Sequence, residues 1–216
     1  MKNGRTTTRI ERVRTASRQR REQEKRELHA AILQAAGRLF TEQGYERFSL
    51  RQVAEMIGYS ATTIYLYFKD KDDLLFAVVD EGFDRFGQQL AAAAASTDDP
   101  IARLQAIGRA YIDFGLQNPV HYQLMFMQRA DFLIGHRPGE QQPRIDAFRV
   151  LQGTVLYGID LGALRPGDVE SYSDALWALV HGVVALGISM PFISAERIQR
   201  TADTALAMSL EGLRRT

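Results

Sequence analysis

The segment SLRQVAEMIGYSATTIYLYFKDK, Ser49 to Lys71, leaves the backbone few choices. Ser49 followed by Gln52 is a capping box, in which two side chains satisfy free N–H groups at a helix start. Leu50, Val53, Ala54 and Ile57 recur at i, i+3, i+4 and i+7, so that short helix has one apolar face. Gly58 ends it, because the residue past a helix C-terminus commonly needs positive φ. Ser60 caps a second helix, Ala61 to Tyr67, whose Ile64 and Phe68 point to the core at i, i+4. Thr62, Thr63, Tyr65 and Tyr67 are less committed to burial. A helix with a buried face, a glycine turn and a second helix rich in hydroxyls describe a helix-turn-helix that reads DNA.

The rest of the chain is read as helical too. With 216 residues it lies near the boundary between one domain and two, and 45% hydrophobic content supports a core. A first helix runs from about 20 to 42, with Leu28, Ile32, Ala35, Ala36, Leu39 and Phe40 as its stripe. Asp70 and Asp73 open a fourth helix, where acidic groups suit the N-terminal dipole. Further helices are expected at about 100–117, 119–130, 142–163, 168–189 and 194–214, punctuated by prolines. Ala130 to Gln142 reads as a longer flexible loop. The expected fold is all-α: a basic, flexible arm over 1–20, a DNA-binding domain over 21–85 with its motif at 49–68, and a regulatory and dimerising domain over 86–216.

Charge is distributed unevenly. Residues 1–27 carry ten Lys or Arg against four Glu, a local +6 in a chain whose total is +1. Two readings of this arm stand: a solubilising tail, or a segment that follows phosphates or enters a minor groove. Without cysteine there is no disulfide and no thiolate zinc site. No run of about 18 apolar residues stands out, and the N-terminus lacks a secretory apolar stretch, so a cytoplasmic protein with no membrane partner is expected.

Gly58-Tyr59-Ser60-Ala61-Thr62-Thr63-Ile64-Tyr65-Leu66-Tyr67-Phe68-Lys69-Asp70-Lys71-Asp72-Asp73-Leu74 resembles the motif of the TetR family of bacterial transcriptional regulators. Ile32 to Phe40 and Gly44-Tyr45 are similar to that family's first helix and its exit, so the resemblance spans about the first 85 residues. Tyr59 stands where the family usually has Val, which touches turn packing. Thr62 replaces a small residue, which touches DNA specificity. The resemblance implies a homodimer on a double-stranded, pseudo-palindromic operator, released by a small-molecule effector. The repressor direction rests on this resemblance, and activators occur among its members. Ser49, Thr63, Tyr65 and Tyr67 match positions that contact DNA in the family. Arg51 in the first turn, Ala61 and Thr62 on the second helix, and Lys71 at the next helix start complete the expected DNA-binding set. Hydroxyls and the Lys71 ammonium suit phosphates, whereas Arg51 and the Thr methyls can read base edges.

The second half is similar to a TetR C-terminal subtype named for a Trp, His and Gly signature, here Trp177, His181 and Gly182. Tyr111, Phe114, Tyr122, Met125, Phe126, Tyr157, Trp177 and His181 are the candidates to line an effector site, each with ordinary core packing as the alternative. Gly182, Ala185 and Gly187, with the stripe Ile198, Ala202, Ala205 and Leu206, form a candidate dimer face; packing within the chain needs small residues equally often. No nucleophile elbow, phosphate-cradling loop or metal-ligand spacing is present, so no catalytic residue, cofactor or metal is expected. Two rival readings are an architectural DNA-binding protein that uses the arm, and an enzyme or carrier with a vestigial head.

Overall fold

The computed structural model describes residues 9–127 and 143–215. Residues 1–8 of the expected arm and the expected loop at 130–142 lie outside these. Among the described residues every regular element is a helix: α1 Arg9–Gln43, α2 Leu50–Ile57, α3 Ala61–Tyr65, α4 Lys71–Ala94, α5 Pro100–Gln117, α6 Pro119–Phe126, α7 Pro143–Asp160, α8 Val169–Ser189 and α9 Ala195–Leu213. The chain divides into two compact units, Met1–Val78 and Val79–Thr216. The boundary falls inside α4, earlier than the expected division after residue 85.

In the first unit, α1 begins well before the expected start at residue 20. Residues 9–20 are helical, which corrects the reading of that stretch as a flexible arm. No apolar face is needed there. Just beyond that stretch, over residues 20–27, side chains pair along the helix: Arg20 Nε with Glu24 at 2.8 Å, and Gln23 Nε2 with Glu27 at 2.8 Å. Each such pair contributes about 0.2–0.5 kcal/mol. From Ile32 onward the helix packs through Ile32, Ala36, Leu39 and Phe40, all buried, against the core that Val53, Ile64, Leu74 and Leu75 share.

The turn chemistry around α2 and α3 follows the sequence closely, with one difference. Ser49 Oγ accepts from the Gln52 N–H at 3.4 Å. The Gln52 side chain, however, accepts the Ser49 hydroxyl at 2.9 Å and donates to Gln43 Oε1 at 2.9 Å. The Ser49 half of the expected box is formed, and its Gln52 half is replaced by a side-chain bridge from α2 to the end of α1. Gly58 takes φ +74°, and the Tyr59 N–H reaches back to the Ala54 carbonyl at 2.9 Å. That left-handed residue is why glycine is required here. Ser60 Oγ accepts from the Thr63 N–H at 3.2 Å. At α4, Asp70 accepts from the Asp73 N–H and Asp73 from the Lys69 N–H, both at 2.9 Å.

In the second unit, α5 packs against α7, α8 and α9. Asp99 caps it, accepting from the Ala102 N–H at 2.7 Å, with Pro100 in the first turn. Close approach to α8 depends on Gly115, where a Cβ would lie 2.5 Å from Val184 Cγ1. The candidate dimer stripe is corrected here. Ile198, Ala202 and Leu206 are buried within the unit, and a Cβ at Gly187 would lie 2.6 Å from Leu116 Cδ2. These residues hold the chain to itself. Gly182 is different: nothing lies within 4 Å of a Cβ placed there. Leu186, Phe192 and Met208 are exposed. By length and composition alone α8 is also long and apolar enough to cross a membrane. Glu170, Asp174 and His181 lie within α8, so it is not the unbroken apolar run for which the sequence was read.

Candidate nucleic-acid interface and internal cavity

The first candidate site is the head built by α2, α3 and the start of α4. Arg51 in the first turn of α2 is exposed, as are Thr62 and Tyr65 on α3, the tyrosine by 56%. Ile64 and Phe68 anchor α3 from beneath, which is what turns the neighbouring side chains outward. Ala61, Thr63 and Ser49 are half-buried. Thr63 shares a hydrogen bond with Ser60 at 2.9 Å, so its hydroxyl also serves the cap. Tyr67 is half-buried, with its ring 6.3 Å from His29 and 6.5 Å from Phe68. Of the two tyrosines, Tyr67 is the packing one and Tyr65 the free-standing one.

Lys71 is held in place. Its ammonium donates to the Tyr45 carbonyl at 3.1 Å and lies 3.8 Å above the Tyr45 ring. The remaining ammonium protons stay available to an anion. Two further exposed side chains were not in the expected set, Tyr59 and Leu66, the latter 80% exposed. Their signal was the absence of any core partner at helical spacing. The head therefore combines a guanidinium, hydroxyls, a seated ammonium and apolar surface, the groups that duplex recognition uses for phosphates, base edges and thymine methyls.

The second candidate site is a cavity of about 350 Å³ within the second unit. Phe83 and Phe86 of α4, Tyr111 of α5, Phe126 of α6, Phe148 of α7 and Trp177 of α8 contribute to its wall. The rings interlock: Phe86 lies 5.1 Å from both Tyr111 and Phe114, and Phe83 lies 5.2 Å from Phe126. Among the expected residues, Tyr111, Phe126 and Trp177 line the cavity. Phe114 and Met125 do not; both are buried core. Tyr157 is elsewhere, donating to the Asp98 carbonyl at 3.3 Å beneath the Arg103 guanidinium. Phe83, Phe86, Phe148 and Asp174 were missed, although Asp174 precedes Trp177 by three residues and so shares its helix face.

Tyr122 and His181 stand behind the wall in a hydrogen-bonded chain. Trp177 Nε1 donates to Tyr111 Oη at 3.0 Å, Tyr111 Oη meets Tyr122 Oη at 2.9 Å, and Tyr122 Oη meets His181 Nδ1 at 2.6 Å. Burial pushes the Tyr111 phenol up to about 12, against the hydrogen bonds it shares with Tyr122 and Trp177. Burial also raises the Tyr122 phenol and lowers the His181 imidazole. All three groups are therefore neutral at neutral pH.

A capped helix-turn-helix head and a separate helical unit around an apolar cavity define a DNA-binding transcription regulator. Comparison with known proteins agrees. Residues 32–78 match the family described as bacterial regulatory proteins, tetR family, and residues 104–209 match the tetracyclin repressor-like C-terminal domain. The chain belongs to the tetR family of regulators, which are not enzymes. The C-terminal match carries the tetracyclin repressor-like description, not the Trp-His-Gly one. The HTH-type transcriptional regulator HbdR of Aromatoleum sp. (strain CIB) is 37% identical over 73 residues, 34% of this chain and 32% of that protein. This match spans about a third of that relative. The probable HTH-type transcriptional regulator ArpR of Pseudomonas putida is 27% identical over 184 residues, covering 80% of this chain and 85% of that one. A TetR family transcription regulator from Marinobacter aquaeolei VT8 superposes with a TM-score of 0.72 at 20% identity, over 90% of this chain and 100% of that one; at this identity the likeness concerns the fold alone.

Proposed function

We propose that the protein is a ligand-responsive repressor that binds a palindromic operator as a homodimer, with the cavity as its effector site. The observation that carries the reading is the head, in which Arg51, Thr62 and Tyr65 project from capped helices whose other faces are buried. A dimer is supported by the uncovered apolar surface of α8 and α9 around Gly182, Leu186 and Met208, which a twofold copy would bury. Symmetry then places two heads in successive major grooves about 34 Å apart. Phe83 and Phe86 of the cavity wall lie on the same helix as Lys71, and this continuity supports coupling between effector and operator of about 1–3 kcal/mol. The reading gives the protein a place in the cytoplasm and no membrane partner. Trp177, His181 and Gly182 retain their resemblance to the subtype signature within this domain.

Selection of bound duplexes from random DNA tests the reading. Recovery of one inverted repeat is expected; equal recovery of unrelated sequences would favour the architectural alternative. Two substitutions resolve the head further. Arg51→Ala should change base preference, by about 1–3 kcal/mol at the position it reads. Lys71→Ala should weaken all sequences alike and make the salt slope shallower by roughly 0.9. A changed preference in Lys71→Ala would move that residue from phosphate to base contact.

A further inference from the structure

The cavity wall has a chemical polarity that follows from proton accounting along its hydrogen-bonded chain. The Trp177 indole is a donor only, so the Tyr111 oxygen must accept from it. Each phenol then has one proton to place. If the chain runs outward, Tyr111 donates to Tyr122 and Tyr122 donates to His181 Nδ1, and each hydroxyl proton has a partner. If it runs inward, the Tyr111 proton faces the apolar cavity with no acceptor, and Tyr111 is only 5% exposed. An unpaired buried donor is costly, so the outward direction is the ground state. A phenol that donates to imidazole is also the natural pairing for the short 2.6 Å contact between Tyr122 and His181.

Two consequences follow for anything in the cavity. The Trp177 and Tyr111 protons are already engaged, so the wall offers acceptors and no free donor from this chain of groups. The other polar group at the wall is the Asp174 carboxylate, exposed and one helical turn from Trp177 on α8. The described residues of the lining include no Lys, Arg or His. An anionic ligand would find a carboxylate and aromatic faces, both unfavourable to it. A cation would find a counter-charge and the π faces of Trp177 and Phe148, whose rings are 5.8 Å apart.

We propose that the cavity takes an apolar cation, its hydrocarbon body among Phe86, Phe126 and Phe148 and its ammonium group between the Asp174 carboxylate and the Trp177 ring. The assignment rests on reading the cavity as the effector site and adds the charge class of the effector. It also gives Tyr122 and His181 a role: they hold Tyr111 as an acceptor without touching the ligand.

The test uses three probes with one apolar body and different charge: 4-phenylbutylamine, 4-phenylbutanol and 4-phenylbutanoate. Binding to the full chain is followed by equilibrium dialysis and by fluorescence of Trp177, the single tryptophan. The amine should bind about tenfold more tightly than the alcohol, with the carboxylate weakest. Asp174→Asn, a change at an exposed position, should bring the amine down to the level of the alcohol. Equal affinity for all three, a preference for the carboxylate, or an amine preference that survives Asp174→Asn would overturn the charge class while leaving the cavity a ligand site. Failure of all three to bind would remove the effector-site reading, and this inference with it.

Discussion

An arginine at Gly182 should leave the protein a folded monomer that binds its operator roughly 10²–10⁴-fold more weakly, because linked half-sites lose their effective concentration. The prediction rests on the proposed dimer and on what surrounds this residue. A Cβ at Gly182 meets nothing within 4 Å, so the side chain has room in the single chain. Replacing glycine inside a helix also adds about 1 kcal/mol of helix propensity, so the fold should not suffer. A guanidinium placed on a twofold surface meets its own copy, and like charges with nothing to pair them exclude close contact. Ala205→Arg, on the neighbouring helix, should act in the same direction. Gly187→Arg should behave differently. There the first added carbon already lies 2.6 Å from Leu116, so the variant should lose stability before association is affected. Sedimentation velocity with circular dichroism separates the cases, and a fully dimeric Gly182→Arg would place the interface elsewhere.

Phe114→Ala should cost about 3–5 kcal/mol of folding stability. Domains of this kind are stable by only about 5–15 kcal/mol, so the variant should lie close to unfolding at ordinary temperature. The ring is 1% exposed and packs 5.1 Å from Phe86, the same ring that touches Tyr111 and Phe126. Its loss leaves a hole that neighbours on α4 and α5 fill only in part. Because Phe114 does not line the cavity, the variant that remains folded should keep the order of affinities among charged and neutral ligands. Urea denaturation reads the first part, as a lower midpoint at unchanged slope. A variant with near-native stability and altered ligand preference would restore Phe114 to the effector site.

Local chemistry was legible in the sequence wherever a few neighbouring residues decide the outcome. Ser60 and Gly58 act within four residues of themselves, so the cap and the positive φ could be read directly. The periodicity of Ile32, Leu39, Val53 and Ile64 likewise named the buried faces, because a helix repeats every 3.6 residues regardless of its partner. Thr62 and Tyr65 were left over once those faces were assigned, Arg51 was read from its place in the first turn, and the contact role of Tyr65 came from the family resemblance.

Other features depended on which helix lies opposite. Gly182 and Gly187 are alike in sequence, five residues apart on one helix, yet Leu116 fills the space beside Gly187 and nothing fills the space beside Gly182. Phe114 and Phe126 are both aromatic residues of an apolar stretch, and only tertiary packing put one in the core and the other at the cavity wall. Residues 9–20 are helical without an apolar stripe, a state that hydrophobic periodicity cannot register. The chain from Trp177 to His181 joins residues up to 66 positions apart, as in Trp177 to Tyr111. Its direction is a property of three-dimensional contact, because each hydroxyl can place its single proton only where the fold supplies an acceptor.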